Sequence, residues 1–212
     1  MLPLFLNMMG RLAVVIGGGA VGQRKAAAAL AAGAHVRQVC LESRPSDQVH
    51  LSLEWRTEPY TPTHLDGATL VFAAGPPAVN ARVVADARAR GVWVNAANDP
   101  AASDFLMPST VRRGEFVLAI GTGGAAPALA RRVRRQLEEQ FDEAFGQWVA
   151  LLAELRPIVL ASLPDAERRR ILFERWCSPE WLERLRREGV AAVREALWKE
   201  LHTAGDDPAV DV

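Results

Sequence analysis

The feature that most restricts how this chain can fold is a glycine-rich turn set between a strand and a helix. Leu12–Ile16 is a short apolar run with β-branched residues, the composition of a buried strand. It leads into Gly17-Gly18-Gly19-Ala20-Val21-Gly22, and Gly22–Ala32 then reads as a helix stopped by Gly33. Gly17, Gly19 and Gly22 fit the spacing G-x-G-x-x-G. Gly17 permits the tight turn, Gly19 lets backbone approach a pyrophosphate, and Gly22 lets the helix pack close to the sheet. A second strand, His35–Leu41, ends beside Glu42, twenty residues beyond Gly22. Strand, glycines, helix and distal acid together form the dinucleotide-binding fingerprint. The helix N-terminus offers unpaired N–H groups to phosphate. Glu42 can accept hydrogen bonds from a ribose hydroxyl and would repel a 2′-phosphate, which favours NAD over NADP. The bare alternative is three glycines that only build a turn. Arg24 and Lys25 follow in the first helical turns, as phosphate partners or as part of a solvated face, the face being the favoured reading.

The same rhythm continues to about residue 110. Ser52–Tyr60 and Leu70–Ala74 read as strands, Ala78–Arg90 as a helix stopped by Gly91, and Val92–Asn95 as a fifth strand. Strands alternating with helices predict an α/β fold with a Rossmann-like parallel sheet and helices on both faces. Beyond residue 111 the pattern changes. Glu115–Gly121 alternates as a strand, a long helix is expected from Pro127 to Phe145, and residues 147–205 read as all-helical. Ser178-Pro179-Glu180 is a helix start and Gly189 a helix stop. Trp148, Trp176, Trp181 and Trp198 suit the core of a helical domain. The expected division is residues 1–112, 113–146 and 147–212.

Composition removes several function classes. The 212 residues are 50% hydrophobic and 24% charged, with 25 basic and 25 acidic residues. A chain without net charge has no general footprint for nucleic acid. Cys40 and Cys177 make neither a metal-ligand spacing nor a disulfide framework, and His35, His50, His64 and His202 are scattered, so no resident metal is expected. The apolar start lacks the layout of a signal peptide, and no run reaches the length of a membrane span. The expectation is a cytoplasmic protein with no membrane partner.

Further motifs narrow the class. Pro3-Leu4-Phe5-Leu6 precedes the first strand, and Gly22-Gln23-Arg24-Lys25-Ala26 follows the glycines. Val94-Asn95-Ala96-Ala97-Asn98-Asp99-Pro100 ends the fifth strand, before Ser103-Asp104-Phe105-Leu106-Met107-Pro108-Ser109. Then comes Leu118-Ala119-Ile120-Gly121-Thr122-Gly123-Gly124-Ala125-Ala126-Pro127-Ala128-Leu129-Ala130-Arg131. This series resembles the precorrin-2 dehydrogenase/sirohydrochlorin ferrochelatase family, including the N-terminal half of sirohaem synthases. The likeness runs over about residues 3–145 and extends more loosely to Ala166–Arg170.

The resemblance implies a homodimer with residues 1–112 as NAD-binding domain, 113–146 as dimerisation region and 147–212 as helical domain. It implies NAD-dependent oxidation of a tetrapyrrole substrate, precorrin-2, to sirohydrochlorin, and in some members iron insertion. It assigns cofactor contacts to Ala20, Val21, Leu41 and Glu42. Two departures stand out. The family's proposed acid/base Asp is Asn98 here, with Asp99 next in line. The family's Thr-Asp after the fourth strand is replaced: Ala74 is followed by Gly75-Pro76-Pro77, although Asn80 remains.

An amide such as Asn98 can orient a substrate but cannot accept its proton at neutral pH. Asp99 can, if it faces the crevice; as readily, it turns the chain before Pro100. Arg131 is the first candidate to clamp substrate carboxylates. Arg132 is a further candidate, whereas Arg134 and Arg135 fit i,i+4 pairs with Glu138 and Glu139 better. Thr122 either bonds a substrate carboxylate or shapes its turn. Dehydrogenase alone, dehydrogenase with ferrochelatase, and a non-catalytic NAD- or tetrapyrrole-binding protein are the three readings left.

Overall fold

A computed structural model describes residues 1–45 and 50–206, the side chains of 204–206 excepted. The chain divides into two compact units, 1–107 and 108–212.

In the first unit five strands form one parallel sheet: β1 (Leu12–Ile16), β2 (His35–Cys40), β3 (Leu53–Thr57), β4 (Ala68–Ala73) and β5 (Trp93–Ala96). Their order is β3-β2-β1-β4-β5, so the chain runs outward from β1 in one direction and then in the other. The crevice at this reversal is where open α/β sheets bind ligands. Helix α1 (Ala20–Ala31) and helix α2 (Pro77–Ala89) join the strands. Alternation along the buried strands assigns each face its own helix. Ala13, Val15, Val36, Leu70 and Phe72 pack with Ala26 and Ala29 of α1. Val14, Ile16, Val39, Val71 and Val94 pack with Val83, Val84 and Ala87 of α2. The α1 face is closed by alanines, so helix and sheet approach closely.

The second unit begins with a hairpin that the sequence did not suggest in full. Strand β6 (Ser109–Arg113) pairs antiparallel with β7 (Phe116–Ile120), with Gly114 at φ 59° in the turn. The helix expected from Pro127 to Phe145 is two helices, α3 (Pro127–Gln140) and α4 (Glu143–Ser162). Asp142 separates them: its backbone is extended and its carboxylate accepts from Phe145 N–H, capping α4. Phe116, Phe141 and Phe145 cluster around this break, with centroids 4.6–5.0 Å apart. Helices α5 (Ala166–Trp176) and α6 (Pro179–Asp206) follow, and α6 is kinked at Gly189 (φ 82°, ψ 166°), where the stop was expected.

The helical core holds Trp148, Leu151, Leu155, Val159, Leu172, Trp176, Val193 and Leu197. Trp181 packs against it, whereas Trp198 is 40% exposed and lies beside His202. Helix α4 has the length and mean hydropathy of a membrane-crossing segment. It commits Trp148, Leu151, Leu155 and Val159 to the core of this unit.

Candidate functional site

Because the sheet is parallel and its registers align Ile16 with Val39 and Ala73, and Ala73 with Ala96, the strand C-termini share one edge. Backbone hydrogen bonds tie the departing loops together there. Gly17 N–H donates to Val39 O (2.8 Å), Ala74 N–H to Ile16 O (2.8 Å), and Ala97 N–H to Ala73 O (2.9 Å).

The three fingerprint glycines meet three different surroundings. Gly17 has φ 122°, and a β-carbon there would collide with the backbone of Ala74. A β-carbon on Gly22 would collide with the Gly17 carbonyl. One on Gly19 would meet nothing within 4 Å. The first two glycines are therefore demanded by the fold, whereas at Gly19 the fold leaves open space. Gly19 is also the N-cap of α1, which has no side-chain cap and no acid in its first turn. Ala20 and Val21 are exposed there. A helix start of this kind, with room above it, is suited to a phosphate.

Glu42 is brought to the same place. A β-carbon on Gly18 would stand 2.9 Å from Glu42 Oε2 and 2.8 Å from Cys40 Sγ. Leu41, beside it, is 72% exposed. The sheet edge thus joins an open helix N-terminus, a carboxylate and an exposed apolar side chain. Those groups match the phosphate, ribose hydroxyls and base of a dinucleotide, so the residues present fit the cofactor.

Side chains that the motif does not specify hold this arrangement. Gln38, fully buried on β2, donates from Nε2 to Gly17 O (3.0 Å), and Gln23 Nε2 donates to Gly18 O (2.9 Å). Asn80, buried in α2, accepts from Gly75 N–H (2.9 Å) and closes the loop after β4. The strand of Gln38 also carries His35 and Arg37, so a polar residue there gave no distinctive signal in the sequence. Burial pushes the Cys40 thiol up to about 11, so it stays protonated. Lys25 departs from the favoured solvated-face reading: Nζ lies 5.3 Å over the Phe72 ring, and burial, then Arg24, lower its pKa.

Asn98 is exposed in the turn after β5. Asp99 caps the short turn Pro100–Ala102, its Oδ1 accepting from Ala101 and Ala102 N–H (both 3.1 Å). Ser103 Oγ donates to Asp99 O (2.9 Å), and Asp104 Oδ2 accepts from Val94 N–H (2.9 Å), fastening the segment to β5. Thr122 and Arg131 belong to the second unit. Thr122 Oγ1 accepts from Ala126 N–H (3.2 Å) before α3, and Arg131 is exposed in the first turns of that helix. Arg134 pairs with Glu138. Among the described residues, no three His, Cys, Asp or Glu side chains group as metal ligands would.

Comparison with known proteins gives three family matches in chain order. Residues 4–109 match the family described as "Putative NAD(P)-binding". Residues 118–140 match the sirohaem biosynthesis protein central region, and 144–201 the sirohaem synthase dimerisation region. The dimerisation match thus falls on α4–α6, not on 113–146. A siroheme synthase of Chromobacterium violaceum is 34% identical over 98% of this chain, and one of Pseudomonas aeruginosa 36% over 96%. The chain spans only 45% and 44% of those two proteins. A solved structure, "SirC, precorrin-2 dehydrogenase", superposes with TM-score 0.76 at 20% identity, over 96% of this chain and 100% of that one. That likeness establishes the fold.

Proposed function

This chain belongs to the family described as "Putative NAD(P)-binding" and carries the sirohaem biosynthesis central and dimerisation regions, and on that premise we propose that it is an NAD-dependent dehydrogenase oxidising precorrin-2 to sirohydrochlorin. One observation carries the reading: Glu42 lies against the glycine turn, beside the open space over Gly19 and the uncapped start of α1. Gly19, Ala20, Val21 and Gly22 would hold the pyrophosphate, Glu42 a ribose, and Leu41 the base. Bound NAD⁺ supplies the hydride acceptor.

The protein's own task is mainly alignment, which can lower a barrier greatly without an acid or base. Asn98 projects from the sheet edge that carries the glycine turn and can orient the substrate by hydrogen bonding. Asp99 stiffens that turn, since its Oδ1 is engaged with the backbone. The single proton released as the hydride leaves passes to solvent. Arg131 binds a substrate carboxylate in this reading, and Thr122 supports the loop before α3. We extend the proposal to a homodimer, built through residues after about Glu115 and working in the cytoplasm without nucleic acid or membrane partners.

Iron insertion is a different demand. Two pyrrole protons must leave while a cation is held close, and the Asn98 amide offers neither a base nor a charge. The proposal is therefore oxidation with little or no chelation. Purified chain given precorrin-2 and NAD⁺ tests it by absorbance: sirohydrochlorin and NADH form together if it is right, and neither forms if it is wrong.

A further inference from the structure

Glu42 lies beyond the end of β2, in a bend where no ladder partner fixes it. Its carboxylate can select a dinucleotide only if the backbone beneath is held. Two side chains do this at one atom. Trp55 donates its indole Nε1–H to the Glu42 carbonyl oxygen (3.1 Å), and the Cys40 thiol reaches the same oxygen (3.4 Å). Trp55 sits on β3, opposite Gln38 in the β2–β3 register. Gln38 in turn holds the Gly17 carbonyl. Two cross-strand neighbours therefore fasten the two loops that meet at Gly18, one from each strand.

We propose that Trp55 is a positioning residue for dinucleotide specificity, acting through the Glu42 carbonyl to keep the Glu42 carboxylate against the glycine turn. The inference rests on the reading of Glu42 as the ribose-binding acid. The β3 strand is otherwise a poor place to look for a specificity determinant, because it lies one strand beyond the fingerprint. The indole N–H is a single donor, and it is directed at the one carbonyl whose displacement would swing the acid away. The thiol is a much weaker donor. It is also shorter, so it cannot replace the indole if the bend moves outward.

Calorimetric titration of the full chain with NAD⁺ and with NADP⁺ tests this, using W55F, E42A and the unaltered protein. A second replacement of Trp55 by 3-benzothienylalanine keeps the ring's shape and removes only the N–H. The expected result for both Trp55 variants is a loss of roughly 3- to 10-fold in NAD⁺ affinity, the size of one hydrogen bond. NADP⁺ affinity should stay the same or rise, because the repulsion of its 2′-phosphate by Glu42 is relieved, so the preference for NAD⁺ narrows. A defect in packing alone would weaken both cofactors equally and leave the preference intact, which overturns the proposal. The proposal also fails if the benzothienyl protein keeps full preference, even where W55F does not fold. The E42A protein separates the two levels. If it loses the preference and the Trp55 variants do not, only the role of Trp55 is wrong. If E42A itself keeps the preference, the cofactor reading beneath it is wrong.

Discussion

The Glu42 carboxylate stands over Gly18, so close that a β-carbon on the glycine would lie 2.9 Å from Oε2. A carboxylate at that distance from a glycine turn repels a phosphate on the adjoining ribose and accepts hydrogen bonds from free hydroxyls. The chain should therefore bind NAD⁺ more tightly than NADP⁺. Replacing Glu42 by Ala should cost NAD⁺ about 1.5–3 kcal/mol, roughly 10- to 150-fold in affinity. Titration calorimetry checks both statements, and equal binding of the two cofactors by the unaltered protein would refute the first.

The fingerprint glycines should separate into two classes. Gly22→Ala forces a side chain into the Gly17 carbonyl and should destabilise the first unit by about 1–3 kcal/mol. Gly17→Ala adds a strained φ to a collision with Ala74 and should cost at least as much. The β-carbon of Gly19→Ala meets no protein atom within 4 Å, so melting should be unchanged while NAD⁺ binding is weakened or lost. A Gly19 variant that melts normally and binds normally would remove the pyrophosphate from that space.

Asp99 and Asn98 should respond differently to substitution. Asp99→Ala removes two backbone hydrogen bonds from a turn cap and should lower stability by about 1 kcal/mol, with turnover reduced only a few-fold. Asn98→Asp supplies a carboxylate where the family resemblance places one. It should raise turnover by an order of magnitude or more if proton removal limits the rate. Steady-state rates beside thermal melts distinguish these outcomes; a loss of a hundredfold or more in Asp99→Ala at unchanged stability would make Asp99 the base.

A pH-dependent contribution is expected in the second unit. Asp142 caps α4 and pairs with Arg186 Nε at 3.0 Å, and the arginine, then the backbone N–H of Phe145, holds its carboxyl below the ordinary 3.8. A lowered folded value means the carboxylate stabilises the fold above the unfolded value and loses that effect as pH falls through the folded one. Asp142→Asn should thus be less stable at pH 7 by about 1 kcal/mol, with the difference vanishing in strong acid. Denaturant melts across pH 2–7 check it; a constant difference would show that the charge does not matter.

The α/β class and the glycine turn were legible because each rests on local signals: apolar runs in the central strands β1 and β4, helix stops at Gly33 and Gly91, and glycine spacing. The break at Asp142 was missed because the apolar period runs through it, and only the capping bond to Phe145 N–H marks the new start. Strand β6 was missed because Ser109–Arg113 is polar at its ends and gains its structure from the β7 ladder. Gln38 and Trp55 were invisible as site residues for a related reason. Each acts on a backbone carbonyl from a neighbouring strand, 21 and 13 residues away in sequence, and no local motif encodes such a contact.

The central claim is a division of activities, and one assay meets it directly. Purified chain is mixed with precorrin-2 and NAD⁺, followed by absorbance to completion, and Fe²⁺ is then added. The account predicts stoichiometric NADH and sirohydrochlorin in the first stage, and iron insertion no faster than the spontaneous rate in the second. Iron insertion well above that rate, abolished by Asp99→Ala alone, would contradict it.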